Sequence, residues 1–401
     1  MIPRRQIDIG WLDLLAGIRA CLWRPDRQLM RTRVERDWSR ANDCLACLSV
    51  RSGFDLLLQA LVLPPGSEIL VSAVTIPDVL RIIEHHGLIP VPVDLDMATL
   101  APRVECLEAA VSSATRAILV AHLFGSVIPL DSVVEFARRH ALLMIEDCAQ
   151  AYAGAEYRGH AGSDVQLWSF GPIKTSTALG GAVLVCHDQA LLDRISVLQA
   201  AYPTQSTAVF VRRLGKYALL KLLGAPALFG VFVACCRWLG ASHDTVIRAA
   251  VRGFAGPDLL AQLRQQPCAA LLALLSRRLR ENAGTRILCR RAIATTAIKL
   301  MPDVQRPGSL ALQHSHWVFP IYASDPARLA RRLWQAGFDA TSHGASLQAV
   351  PAPRDRLTLR PVEAERALEQ LVYLPIYPGV PAREIRRLAR IVGQSIDWPK
   401  V

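Results

Sequence analysis

Short apolar runs recur between residues 44 and 187, each closed by Gly, Pro, Asp or Ser. They are "EILVSAV" (68–74), "IPVPVDL" (89–95), "AILVAHLF" (117–124), "ALLMIEDC" (141–148), "VQLWSF" (165–170) and "GAVLVC" (181–186). Runs so rich in Val, Ile and Leu predict strands covered on both faces. Segments of helical character lie between several of them: "PDVLRIIEHHG", "RVECLEAAVSS" and "LDSVVEFARRHA". Strand–helix alternation predicts an α/β fold built on a mostly parallel sheet. Ligands on such sheets sit beyond the carboxyl ends of the strands.

The pattern changes twice more. Residues 205–283 are intensely apolar, and 222–236 carry no charge, with Arg212, Arg213, Lys216, Lys221 and Arg237 flanking the run. A membrane span needs about 20 apolar residues, and Pro226 and Gly230 interrupt this one. Two readings stay open: an interfacial anchor on anionic lipid through 217–240, or a buried helical pair or dimer contact. From 284, "RILCRRAIATTAIKLM" predicts a helix and "HWVFPIYA" a strand. "DPARLARRLWQAGF" follows as a helix with Asp-Pro at its start and Gly near its end, and "PAREIRRLARIVGQ" closes the chain with another. The predicted organisation is an N-terminal segment (1–43), a large domain (44–204), an apolar helical segment (205–283) belonging to the large domain or a dimer interface, and a smaller C-terminal α+β domain (284–401).

Charge and cysteines narrow the classes. The net charge is +12, but the arginines are scattered and not interleaved with aromatics. This argues for an anionic small-molecule substrate over nucleic acid. The N-terminus lacks a signal-peptide pattern, so a cytoplasmic location with reduced thiols is expected, at most peripheral to the inner membrane surface. Cys44 and Cys47 form one CxxC with no second pair at metal spacing, so core packing competes with a zinc site and no metal is expected.

The candidate chemistry lies in "IEDCAQAYAGAEYRGHAGSDVQLWSFGPIKTSTALGGAVLV". Lys174 is one of only five lysines among 46 basic residues. Unlike arginine, lysine can lose its proton and attack a carbonyl. Asp147 and Gln150 follow one strand, and Ser169 and Lys174 the next. An acid at a strand end could hold a pyridinium nitrogen protonated. Ser52 and Gly53 open an apolar helix, which offers backbone N–H groups to an anion. His122, in "VAHLFG", reads equally as a ring-tuning residue or a satisfied core histidine.

These motifs resemble the DegT/DnrJ/EryC1/StrS family of sugar aminotransferases, pyridoxal-phosphate enzymes of fold type I. The resemblance rests on "EDCAQA" (146–151), "SFGPIK" (169–174), "GGAVLV" (180–185), "YLPIYPGVP" (373–381) and "SGFDLLLQALVLPPGSEILVSAVT" (52–75). It implies that Lys174 is the Schiff-base lysine and Asp147 the partner of the pyridine nitrogen. It places Gln150 near the ring's phenolic oxygen, and Ser169, Ser52 and the Gly53 amide on the phosphate. It also implies a glutamate donor, a nucleotide-linked keto-sugar acceptor, a role in sugar biosynthesis and a homodimer. Phe54 stands where the family has a threonine, and Ile76 where it has a stacking aromatic. The family's partner-subunit asparagine has no match in 205–283, and "ATSHGASLQAV" (340–350) replaces a His-Tyr-Pro. Arg51 and His343 are candidates to compensate. The departures leave two alternatives: a hydrophobic or lipid-linked acceptor at a membrane surface, and a catalytically degenerate partner subunit.

Overall fold

The computed structural model describes all residues except 252–253, 255–257, 282, 343–346 and 396–401, and only the helical backbone of 248–251. Two helices, α1 (Trp11–Trp23) and α2 (Arg27–Trp38), precede β1 (Cys44–Cys47) and α3 (Val50–Leu61). Strands and helices then alternate through β2 (Glu68–Ser72), β3 (Val74–Thr75), α4 (Pro77–His85), β4 (Ile89–Val93), α5 (Val104–Ala110) and β5 (Thr115–Ala121). The pattern continues with β6 (Ser126–Val127), α6 (Asp131–Arg139), β7 (Leu143–Asp147), β8 (Val165–Ser169), β9 (Ala182–Cys186) and α7 (Gln189–Ala200). A helical stretch follows: α8 (Thr207–Leu223), α9 (Pro226–Trp238), α10 (His243–Val251), α11 (Leu259–Leu263), α12 (Ala269–Arg280) and α13 (Gly284–Leu300). The C-terminal part holds β10 (Gln313–His314), β11 (Phe319–Tyr322), α14 (Pro326–Gln335), β12 (Gln348–Ala349), α15 (Val362–Gln370), β13 (Leu371–Leu374) and α16 (Ala382–Gly393).

All six apolar runs form strands. The main sheet has the order β1-β9-β8-β7-β5-β2-β4. Its β2–β4, β2–β5 and β5–β7 pairs are parallel, and β1 runs antiparallel to β9. The fold is therefore α/β with a mostly parallel sheet. Residues in the centres of these strands are buried on both faces, which is why they read as unbroken apolar runs.

The chain divides into two compact units, Met1–Ala60 with Leu167–Ala283, and Leu61–Gln166 with Gly284–Val401. Gly284 opens the C-terminal stretch of the second unit, and residues 44–204 contribute to both units. In the first, α12 packs against α1 and α2, and Trp38 meets Trp168 at 5.1 Å between ring centroids. In the second, Phe124, Phe136, Leu100, Ala364, Leu371 and Tyr373 share one apolar cluster, and β10 and β12 pair with β6 and β3.

The CxxC is resolved as a strand. Residues three apart on a strand point to opposite faces, so Cys44 and Cys47 cannot share an ion. Burial pushes both thiols up, Cys47 to about 12. All ten cysteines are free thiols, and only Cys235 and Cys289 are exposed.

Candidate active site

The first unit holds Ser52, Gly53, Ser169 and Lys174. β8 ends at Ser169, and the chain then turns tightly, with the Lys174 amide donating to Gly171 O at 3.0 Å. A Cβ on Gly171 would lie 3.5 Å from Ser169 Oγ and 3.9 Å from Lys174 Cγ. The hydroxyl and the lysine stem thus both lie beside Gly171. Both side chains are half-buried, a setting that leaves an amine reachable while thinning its water.

At α3 the structure corrects the sequence. The helix starts at Val50, not Ser52, because Ser49 caps it. Ser49 Oγ accepts from the Ser52 amide at 3.1 Å and lies 2.9 Å from Ser52 Oγ. The Gly53 amide donates to Ser49 O at 3.0 Å. Gly53 is thus committed to the helix, not an open phosphate donor, and the hydroxyls of Ser49 and Ser52 are the donors at that end. A Cβ at Gly53 would make only ordinary contacts, the nearest at 3.5 Å. Phe54 is turned fully into the core, so its ring replaces the family's hydroxyl with apolar packing. Arg51 lies over the Phe254 ring, its guanidinium carbon 5.6 Å from the centroid. His343 lies outside the described residues.

The loop after Lys174 is held from far along the chain. Ser176 and Leu179 adopt left-handed backbone, with φ of 51° and 63°. Non-glycine residues need external support for that conformation. Asp8 Oδ2 accepts from the Ser176 amide at 2.8 Å. Arg278, fully buried, donates to Thr177 O at 3.1 Å, Asp8 O at 2.7 Å and Asp13 Oδ2 at 2.6 Å, and also pairs with Glu281. Burial opposes the charge of Asp13, but its polar partners and the Arg278 charge hold its carboxyl below the usual range. Asp8, Asp13 and Arg278 are positioning residues that the sequence did not reveal. Partners some 270 residues apart leave no local pattern.

The second unit holds Asp147 and Gln150, brought together at the carboxyl end of β7. Asp147 Oδ1 accepts from the Ala149 amide at 2.9 Å, and Gln150 Oε1 from the Phe124 amide at 2.9 Å. With its oxygen so engaged, Gln150 keeps its NH2 as the donor end. One residue before Asp147, Glu146 is wholly buried among donors. These are His122 Nε2 at 2.8 Å, Cys148 Sγ at 3.1 Å, the His160 amide at 2.9 Å, Ser163 Oγ at 2.8 Å and the Tyr157 hydroxyl. Burial raises the Glu146 pKa, but these bonds outweigh it and hold the carboxyl at about 2. His122 Nδ1 accepts from the Ile128 amide at 3.2 Å, so its proton sits on Nε2 and His122 satisfies the core. His122, Glu146 and Cys148 gather ligand-type atoms. However, Glu146 is saturated with donors and burial holds the thiol well above its usual range, so the cluster is a hydrogen-bonded anchor. It fixes the strand end from which Asp147 projects.

An amine, a carboxylate, a carboxamide donor and serine hydroxyls suit carbonyl capture, pyridinium pairing, phenolate and phosphate in turn. Each set, taken within its own unit, fits its part of pyridoxal phosphate by chemistry, with the Gly53 amide as the one exception.

Comparison with known proteins agrees. The model of the DegT/DnrJ/EryC1/StrS aminotransferase family, whose enzymes use pyridoxal phosphate, matches residues 33–215. The erythromycin biosynthesis sensory transduction protein EryC1 of Saccharopolyspora erythraea is 38% identical over 160 residues, covering 38% of this chain and 43% of that protein. GDP-perosamine synthase of Caulobacter vibrioides is 34% identical over 166 residues, covering 41% and 44%. The match thus spans less than half the length of these relatives. The aminotransferase TlmJ of Streptoalloteichus hindustanus shares the fold over 98% of both chains, with a TM-score of 0.69 at 20% identity. Over residues 33–215 the chain is similar to the DegT/DnrJ/EryC1/StrS aminotransferase family.

Proposed function

We propose that the chain is a pyridoxal-phosphate aminotransferase. It moves an amino group from an amino acid, glutamate by family resemblance, to the carbonyl carbon of a nucleotide-linked keto-sugar. The observation that carries this reading is Lys174, a rare lysine set directly beyond a buried strand in a loop tied to Asp8 and Arg278. The cofactor supplies an aldehyde and an electron-withdrawing pyridine ring. Lys174 Nζ would hold the aldehyde carbon and, when displaced, would move a proton between the substrate carbon that bears the nitrogen and that aldehyde carbon. The Asp147 carboxylate would pair with the ring nitrogen and favour its protonated form. Gln150 donates to the ring oxygen, and Ser52 and Ser169 donate to the phosphate. The donor carbon ends as a carbonyl and the acceptor carbon as an amine, with no net redox change.

Similarity to GDP-perosamine synthase supports a nucleotide-linked acceptor, and a net charge of +12 suits its phosphates. By family resemblance the working form is a cytoplasmic homodimer. A second reading, a hydrophobic or lipid-linked acceptor, draws support from the exposed apolar residues of α8 and α9, such as Leu219, Leu222 and Val231.

The test is the absorbance spectrum with added pyridoxal phosphate, then borohydride reduction and peptide mapping. A band that shifts with glutamate, and a label confined to Lys174, is the expected result. Lys174→Ala should lose the label and lower transamination by about 10³–10⁴-fold. An absent band, or a label spread over surface amines, would overturn the reading in favour of a non-catalytic partner subunit.

A further inference from the structure

Three helices of the first unit are apolar on both faces. α1 turns Leu14, Gly17 and Cys21 inward at helical spacing. A Cβ on Gly17 would meet Leu214 of α8 at 2.8 Å, so this stripe is the packed one. The opposite stripe, Trp11, Leu15, Ile18 and Leu22, is exposed, and Leu22 and Trp23 reach 80% and 75% exposure. α8 buries Phe210, Leu214 and Tyr217 yet leaves Leu219 and Leu222 outside. α9 buries Phe229, Val233 and Cys236 yet leaves Leu228, Val231 and Trp238 outside, Trp238 at 87%. The three faces adjoin: α8 packs on α1 and α9, and the Lys221 amine lies 5.7 Å from the Trp11 ring centroid. Folding accounts for the inner stripes alone.

Charge says what covers the outer ones. Residues 194–243 contain no Asp or Glu, and α8 and α9 carry Arg212, Lys216, Lys221 and Arg237 besides Arg213, which turns inward to donate to Leu179 O at 3.2 Å. The one acid of α1, Asp13, is turned inward and paired with Arg277 and Arg278. A second copy docked face to face would set this acid-free surface against itself, like charge on like. An anionic bilayer complements it. Exposed tryptophans at the rim and basic side chains with long apolar stems are the usual anchors at a membrane–water boundary. Length rules out a span. α8 and α9 have 17 and 13 residues, about 26 and 20 Å of helix against about 30 Å of hydrocarbon. Only together are they long and apolar enough, and the pair is bent by 99°.

We propose that α1, α8 and α9 form one docking face on which the chain lies against an anionic bilayer without crossing it. The face is independent of the identity of the acceptor and of the reaction itself.

The test is co-sedimentation of the full chain with vesicles of phosphatidylcholine alone and of equimolar phosphatidylcholine and phosphatidylglycerol. Binding to the second only, released by high salt, is the expected result. Lys216→Gln and Lys221→Gln should each weaken binding about fivefold. The double variant Leu22→Asp/Trp238→Asp should abolish it, with circular dichroism and cofactor absorbance unchanged. No binding to the anionic vesicles, equal binding to both compositions, or binding retained by the double variant would overturn the proposal. So would sedimentation velocity in which the double variant turns a dimer into a monomer, since a second copy would then own the face.

Discussion

The pocket around Glu146 and the outer face of α1, α8 and α9 both reverse the ordinary placement of side chains, in opposite senses. Glu146 is a charge inside the protein; Leu22, Trp23 and Trp238 are large apolar groups outside it. Yet Glu146 has a full set of donors from its own chain, whereas the apolar face lacks packing on its outer side. A buried charge that is fully bonded is finished within the fold and fixes a neighbouring position, here Asp147. An exposed apolar stripe contributes little to the fold, and its purpose lies in what it meets.

That contrast can be broken most severely at Glu146. Glu146→Ala should destabilise the protein by about 3–5 kcal/mol, because it strips one partner from a buried network; chemical denaturation measures this. The pH dependence has a definite sign. The folded carboxyl is held down at about 2, against 4.5 for an unperturbed glutamate. Its stabilisation, about 3 kcal/mol, is complete above pH 4.5 and disappears as pH falls towards 2. Glu146→Gln should flatten that acid limb. Next in size is Arg278→Met, which leaves Asp13 buried without its main counter-charge. A loss of about 3 kcal/mol is expected, with borohydride labelling of Lys174 reduced as its loop loosens. The smallest effect belongs to the other region. Leu22→Ser should shift stability by no more than about 0.5 kcal/mol, and a larger loss would mean that the outer stripe is packed after all.

The same contrast governs what could be read before the structure. Strands buried on both faces announce themselves as unbroken apolar runs, and motif spacing singled out Asp147, Gln150, Ser169 and Lys174 as candidates. β1 escaped because four residues, "CLAC", are too few for a period and its cysteines suggested a ligand pair. The start of α3 was misplaced by two residues because Ser49, a side chain competing for backbone donors, was not recognised as the cap. The supports of the Lys174 loop were invisible for another reason: Asp8 and Arg278 meet only through tertiary folding. The apolar stretch 222–236 was plain in the sequence, but which of its residues face outward depends on the packing of α8 and α9. Most of that stretch is exposed or half-buried in its own chain, and no single helix in it is long and apolar enough to cross a membrane.

The thiol inventory has a practical use. Of ten cysteines, Cys235 and Cys289 are exposed, while Cys106 is half-buried with its thiol pushed up by burial and the rest are buried, so a maleimide fluorophore would react first at these two. Cys235 lies one helical turn before Trp238 on α9, while Cys289 is on α13 in the other unit. With Cys289→Ser, a polarity-sensitive dye at Cys235 reports from the edge of the apolar face. With Cys235→Ser, the same dye at Cys289 serves as the reference that should remain dark. One chain thus carries its own optical probe and its own control.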